Sequence, residues 1–163
     1  FFTALPAVFV LICGPLLERC TQALAARRIR LRDSLKFTIG MLLCALAYSL
    51  MLVASLFPRG SELASPLWLV GCKIALALGE LLGVPVALAL AESLARARTK
   101  GLTLGLSYGA HALGFWLGGE VSALWPRCSH AAFFALLAGG CLGAAVMIHA
   151  QSPRLARVLT LRE

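Results

Sequence analysis

The chain is predicted to be an all-α, polytopic membrane helix bundle. Three observations predict this: extreme apolarity, separation of the apolar residues into spanning-length runs, and alternation of basic charge between those runs. Of 163 residues, 60% are hydrophobic and 13% charged, with a mean hydropathy of +0.88. Soluble domains carry roughly 25% charged residues. A single compact core of this size could not hide so much apolar surface, so lipid must cover much of it.

A helix crossing a bilayer needs about 20 apolar residues. Five runs qualify: 1–17, 37–57, 66–95, 101–125 and 131–150. The third exceeds one bilayer thickness, so its ends are expected to tilt or protrude. Regular period-2 alternation is absent, which argues against a barrel. Twelve of the fifteen Lys and Arg lie in the linker 18–36, in the third gap (Arg96, Arg98, Lys100) and in the tail 151–163. The other two gaps hold only Arg59 and Arg127. The positive-inside rule places the linker and the C-terminus in the cytoplasm. The linker is read as amphipathic and lying on the membrane. The net charge of +8 is then a matter of cytoplasmic loops meeting anionic lipid. Nucleic acid is not an expected partner, because no aromatic residues interleave with the basic run from Arg27 to Arg32. The apolar start at Phe1 outside the membrane, without Met or signal peptide, reads as part of a longer chain.

Taken in order, the first span offers Cys13 and Gly14 and no charge. The second carries Cys44. None of the six cysteines forms a C-x-x-C pair, so zinc and redox motifs are not expected and the thiols are read as polarizable fillers. The third span is the richest. Lys73 and Glu80 interrupt it, and a charge in lipid usually faces a bundle interior or a water-filled cavity. Seven residues separate them, so both point to about the same side, with Cα atoms roughly 10.5 Å apart. Lys73 is read as snorkelling to the outer interface, and Glu80 as facing a cavity. Gly83 and Pro85 follow. Proline removes a helical hydrogen bond, so a bend serving as kink or gate is expected just beyond Glu80. Glu92 lies one turn before Arg96, an i,i+4 ion pair.

In the fourth span Gly101, Gly105 and Gly109 share one stripe, which predicts close helix packing. Gly114, Gly118 and Gly119 continue this permissive surface, as do Gly139, Gly140 and Gly143 in the fifth span. His111 lies mid-span, where an imidazole could relay a proton, donate to a substrate, or simply be hydrogen-bonded in packing. No paired nucleophile and base, H-E-x-x-H or intramembrane aspartate is present, so an enzyme is not expected.

The run from Leu78 to Pro85, LGELLGVP, resembles the G-E-L-x-x-S-P motif of the proton-dependent oligopeptide transporters, a branch of the major facilitator superfamily. Lys36 to Gly40 resembles the family's K-F-A-x-G segment, and Trp68 sits at the usual distance before the glutamate. Lys100-Gly101 with Leu104-Gly105, and Gly114 with Gly119, match further family positions. The resemblance implies the C-terminal portion of that fold, helices eight to twelve. It implies proton-coupled di- and tripeptide symport by alternating access, against an N-terminal half supplied by the rest of the protein. No cofactor is implied, the proton being the coupling ion, and membrane lipid and a small peptide or other solute are the implied partners. Glu80 matches the glutamate that binds the peptide's amino terminus, a carboxylate suiting an ammonium with three donors. Tyr108, Ser107 and His111 are further cavity-lining candidates. The departures are specific. Residues 3–7 lack the family's asparagine, Ser107 stands where a tryptophan is usual, and Phe115 replaces the asparagine after Gly114. They leave open a divergent solute or a non-transporting membrane scaffold.

Overall fold

The computed structural model describes residues 9, 11–15, 19, 33–56, 66–95 and 97–160. Four long helices account for most of them: α1 (Asp33–Leu56), α2 (Pro66–Leu94), α3 (Lys100–Ser122) and α4 (His130–Thr160). A short 3-10 turn, Ala97–Thr99, joins α2 to α3. No strand occurs among the described residues. Most of the first expected span lies outside them. Its residues 11–15 are helical, and a Cβ on Gly14 would sit 3.7 Å from Leu81 of α2.

Helix boundaries differ instructively from the expected spans. α1 begins at Asp33, inside the expected linker 18–36. α4 runs on to Thr160, so residues expected as a tail from 151 continue the helix. Apolarity marks the part of a helix that suits lipid, whereas hydrogen bonding continues until a cap or breaker ends it. Three described helices are long and apolar enough to cross a membrane: Ser34–Leu56, Pro66–Ser93 and His130–Ser152. α3 covers most of the fourth expected span but is less apolar, being diluted by six glycines, Ser107, Tyr108 and His111.

α1 is the centre of the bundle, packing against both α2 and α4. Its buried positions are small: Gly40, Ala45 and Ala47, with Thr38. The facing stripe of α2 is equally small: Cys72, Ala75, Gly79 and Gly83 are all buried. Small residues let helix backbones approach, and in lipid that dispersion contact replaces the hydrophobic effect as the driving force. Ala47, Cys72 and Ala75 form one core cluster, flanked by Met51 and Leu76. The contact is tightest lower down. A Cβ on Gly40 would fall 2.9 Å from the Gly79 carbonyl oxygen and 3.2 Å from the Gly83 nitrogen. A Cβ on Gly79 would fall 2.8 Å from the Gly40 carbonyl oxygen.

Hydroxyls in these helices find partners on their own backbone. Thr38 Oγ1 donates to the Ser34 carbonyl at 2.8 Å, and Ser49 Oγ donates to the Ala45 carbonyl at 2.8 Å. Such back-bonding lets a polar side chain occupy a lipid-embedded helix without an orphan donor. At the α3–α4 corner the Ala132 N–H donates to Ser129 Oγ at 3.2 Å, capping α4. Trp125 packs there on His130, Phe133 and Phe134, with ring centroids 4.5, 5.0 and 5.6 Å away. Such an aromatic group suits the membrane–water interface.

Candidate functional site

Glu80 follows directly on Gly79, the tightest point of the α1–α2 seam. At 100° per residue, it leaves the seam and lies on its flank. Gly79 and Gly83 are buried while Glu80 is exposed. Among the described residues Glu80 makes no hydrogen bond or ion pair. On the seam beside it, Cys44 of α1 reaches α2, its Sγ 2.6 Å from a Cβ built on Gly79. Lys73, expected on the same side of α2, is half-buried.

Tyr48 was not among the residues singled out from the sequence. It is half-buried, one turn beyond Cys44 on α1. Its signal was present as a phenol in the middle of an otherwise apolar helix. Gly40 likewise carried a family resemblance but no assigned role, although its backbone meets that of Gly79 and Gly83.

The two gating candidates behave differently. Gly83 is buried in the seam, where its backbone faces Gly40. Pro85 is exposed, and α2 continues unbroken through it from Pro66 to Leu94. The lost N–H at Pro85 does not end the helix.

On α3, a ladder of side-chain hydrogen bonds climbs one stripe. Thr103 Oγ1 donates to the Thr99 carbonyl at 3.1 Å. Ser107 Oγ donates to the Thr103 carbonyl at 3.0 Å. His111 Nδ1 lies 2.9 Å from the Ser107 carbonyl. Thr103, Ser107 and His111 are the half-covered side of the helix, together with Leu104. Tyr108 is 62% exposed. α3 meets α2 only lightly, and no hydrogen bond or ion pair joins Glu80 to Ser107, Tyr108 or His111. The four expected substrate-facing residues thus fall on two adjacent helices without direct polar contact.

Two further expectations meet a different arrangement. Gly101, Gly105 and Gly109 have no neighbouring atom within 4 Å of a Cβ built on them. The close packing expected of that stripe is not made within the described part of this chain; the close glycine contact is instead at Gly40, Gly79 and Gly83. Glu92 forms its ion pair with Lys100, both half-exposed, across the turn from α2 to α3. Its expected partner Arg96 lies outside the described residues.

This arrangement was compared with known proteins. The sequence model of the POT family matches residues 1–135. The chain belongs to the POT family. Among POT and other curated relatives, it is 34% identical over 143 residues to the peptide transporter YePEPT of Yersinia enterocolitica, covering 79% of this chain and 28% of that protein. It is 32% identical over 121 residues to dipeptide and tripeptide permease B of Salmonella typhimurium, covering 74% of this chain and 25% of that protein. A crystal structure of a peptide transporter POT in complex with sulfate superposes with a TM-score of 0.85 at 25% identity, over 95% of this chain and 31% of that one. A glutamate-to-glutamine mutant in complex with alafosfalin gives 0.85 at 26% identity, with the same coverage. The chain therefore spans less than a third of the length of these relatives. The fold is part of a major facilitator superfamily bundle, and the protein is an integral, multi-pass membrane protein.

Proposed function

We propose that this chain is the C-terminal portion of a proton-coupled oligopeptide symporter, with Glu80 binding the amino terminus of a di- or tripeptide. The observation that carries this reading is Glu80 itself. It is a carboxylate within a lipid-spanning helix of a POT-family chain, exposed and without a hydrogen bond or ion pair among the described residues. An intramembrane charge is costly and is kept where it meets a counter-charge or a water-filled path. A substrate ammonium supplies that counter-charge with three donors. The relatives carrying the names peptide transporter and dipeptide and tripeptide permease support the same substrate class.

The remainder of the transporter supplies the opposing half, and alternating access comes from rocking one half against the other. The coupling ion is the proton, no organic cofactor or catalytic chemistry is required, and the C-terminus is cytoplasmic. Ser107 and His111 line the path from α3, with Tyr108 beside them. A second reading keeps one specific observation in its favour. Ser107 and Phe115 stand where the family carries tryptophan and asparagine, which suits a different small solute or a non-transporting scaffold.

Proton-driven dipeptide uptake by the full-length protein in liposomes tests the choice. Uptake by the wild type that collapses in Glu80→Gln supports peptide symport. Absence of uptake by the wild type would move the conclusion to the second reading.

A further inference from the structure

We infer that Gly40 is a positioning residue for Glu80; this rests on the peptide-symport reading above. Its bare backbone sets how deeply α2 seats against α1, and so where the carboxylate stands. A Cβ on Gly40 would fall 2.9 Å from the Gly79 carbonyl oxygen, 3.2 Å from the Gly83 nitrogen and 3.4 Å from the Gly83 Cα. In the other direction, a Cβ on Gly79 would fall 2.8 Å from the Gly40 carbonyl oxygen and 2.6 Å from the Cys44 Sγ. The contact is reciprocal, and main chain makes it from both sides.

Gly40 touches the very peptide unit that carries Glu80. The Gly79 carbonyl and the Glu80 nitrogen belong to one rigid plane, so whatever moves that oxygen moves the Glu80 Cα. Farther along the seam the helices meet through side chains, Ala47 against Cys72 and Ala75. At Gly40 no side chain intervenes to absorb a shift. Bringing a methyl out from 2.9 Å to van der Waals distance parts the helices by about half an ångström. A binding group must be held to about 0.5 Å of its productive place, and the bond from an ammonium to a carboxylate is short. The single methyl of Gly40→Ala therefore acts on the grip of Glu80 as well as on stability.

The test uses the full-length protein in liposomes under a proton gradient. Labelled dialanine uptake is competed by unlabelled dialanine and by propionyl-alanine, the same molecule without its ammonium. The ratio of the two inhibition constants reports the grip on the amine and does not depend on how much transporter folds. Wild type should favour dialanine by about tenfold or more. Gly40→Ala should lose about tenfold of that preference, the scale of a half-ångström misplacement. Gly40→Ala with Glu80→Gln should show no smaller ratio than Glu80→Gln alone, because both act on one contact. Gly140→Ala, whose methyl meets nothing within 4 Å, should keep the wild-type ratio. If Gly40→Ala yields too little folded protein, Gly79→Ala combined with Cys44→Ala takes its place. Trimming the thiol makes room for the new methyl, and the Gly40 carbonyl still presses on it from 2.8 Å. The ratio should fall there too. A lower thermal midpoint with an unchanged ratio would overturn the inference and leave Gly40 a packing residue. Absence of dialanine uptake by the wild type would instead remove the peptide-symport reading, and this role with it.

Discussion

Glu80 is where a single side chain has most consequence. It stands on the flank of the α1–α2 seam without a hydrogen bond or ion pair among the described residues, and the proposed symport makes its charge the peptide's counter-charge. Replacing it by glutamine keeps size but removes the negative charge and puts two N–H donors where an acceptor oxygen stood. Loss of a charge-assisted contact of this kind costs about 1.5–3 kcal/mol, so dipeptide affinity should fall about tenfold or more in Glu80→Gln, measured by competition for uptake. Glu80→Asp, which keeps the charge on a shorter arm, should fall less. Glu80 was legible as a candidate in the sequence, because an acid in an apolar helix stands out. The approach of Cys44 to Gly79 was not, since it depends on how α1 packs against α2.

Between helices, glycine has two unlike roles here. Gly40 meets only backbone atoms of α2, at 2.9 and 3.2 Å from a built Cβ. Backbone cannot rotate aside as a side chain can, so Gly40→Ala must push the helices apart. Overpacking of this kind costs about 1–3 kcal/mol, and a lower thermal midpoint in detergent should report it. Gly140 has nothing within 4 Å and sits in a helix where alanine is favoured by about 1 kcal/mol. Gly140→Ala should therefore leave the midpoint unchanged or raise it, unless another part of the transporter covers that face. The Glu92–Lys100 pair is half-exposed on both sides. Exposed pairs contribute about 0–1 kcal/mol, so Glu92→Gln should change the thermal midpoint little. Glycine spacing drew attention to Gly101, Gly105 and Gly109, whereas the contact was made by Gly40, Gly79 and Gly83. Spacing shows which face of a helix is smooth; it does not show which neighbour reaches it.

For the whole molecule, the positive-inside rule predicts an orientation that can be tested. Cys128 lies in the α3–α4 turn and is exposed, on the side that carries few basic residues. In intact cells producing the full-length protein, a membrane-impermeant maleimide should label Cys128. A cysteine placed at Ser152 should be labelled only after permeabilisation. The reverse pattern would overturn the cytoplasmic placement of the C-terminus.

The membrane class and the number and rough extent of the apolar runs were decided by the amino-acid order alone, which also marks Glu80 as a candidate site residue. Each depends on a residue's preference for lipid or water, and that preference is local. Boundaries were less legible, since α4 continues to Thr160 well past its apolar part. Which glycines touch and that Glu92 pairs with Lys100 were decided only in three dimensions. These depend on distances between atoms brought together by helix packing or by a particular rotamer, and a residue's own chemistry does not specify its neighbour.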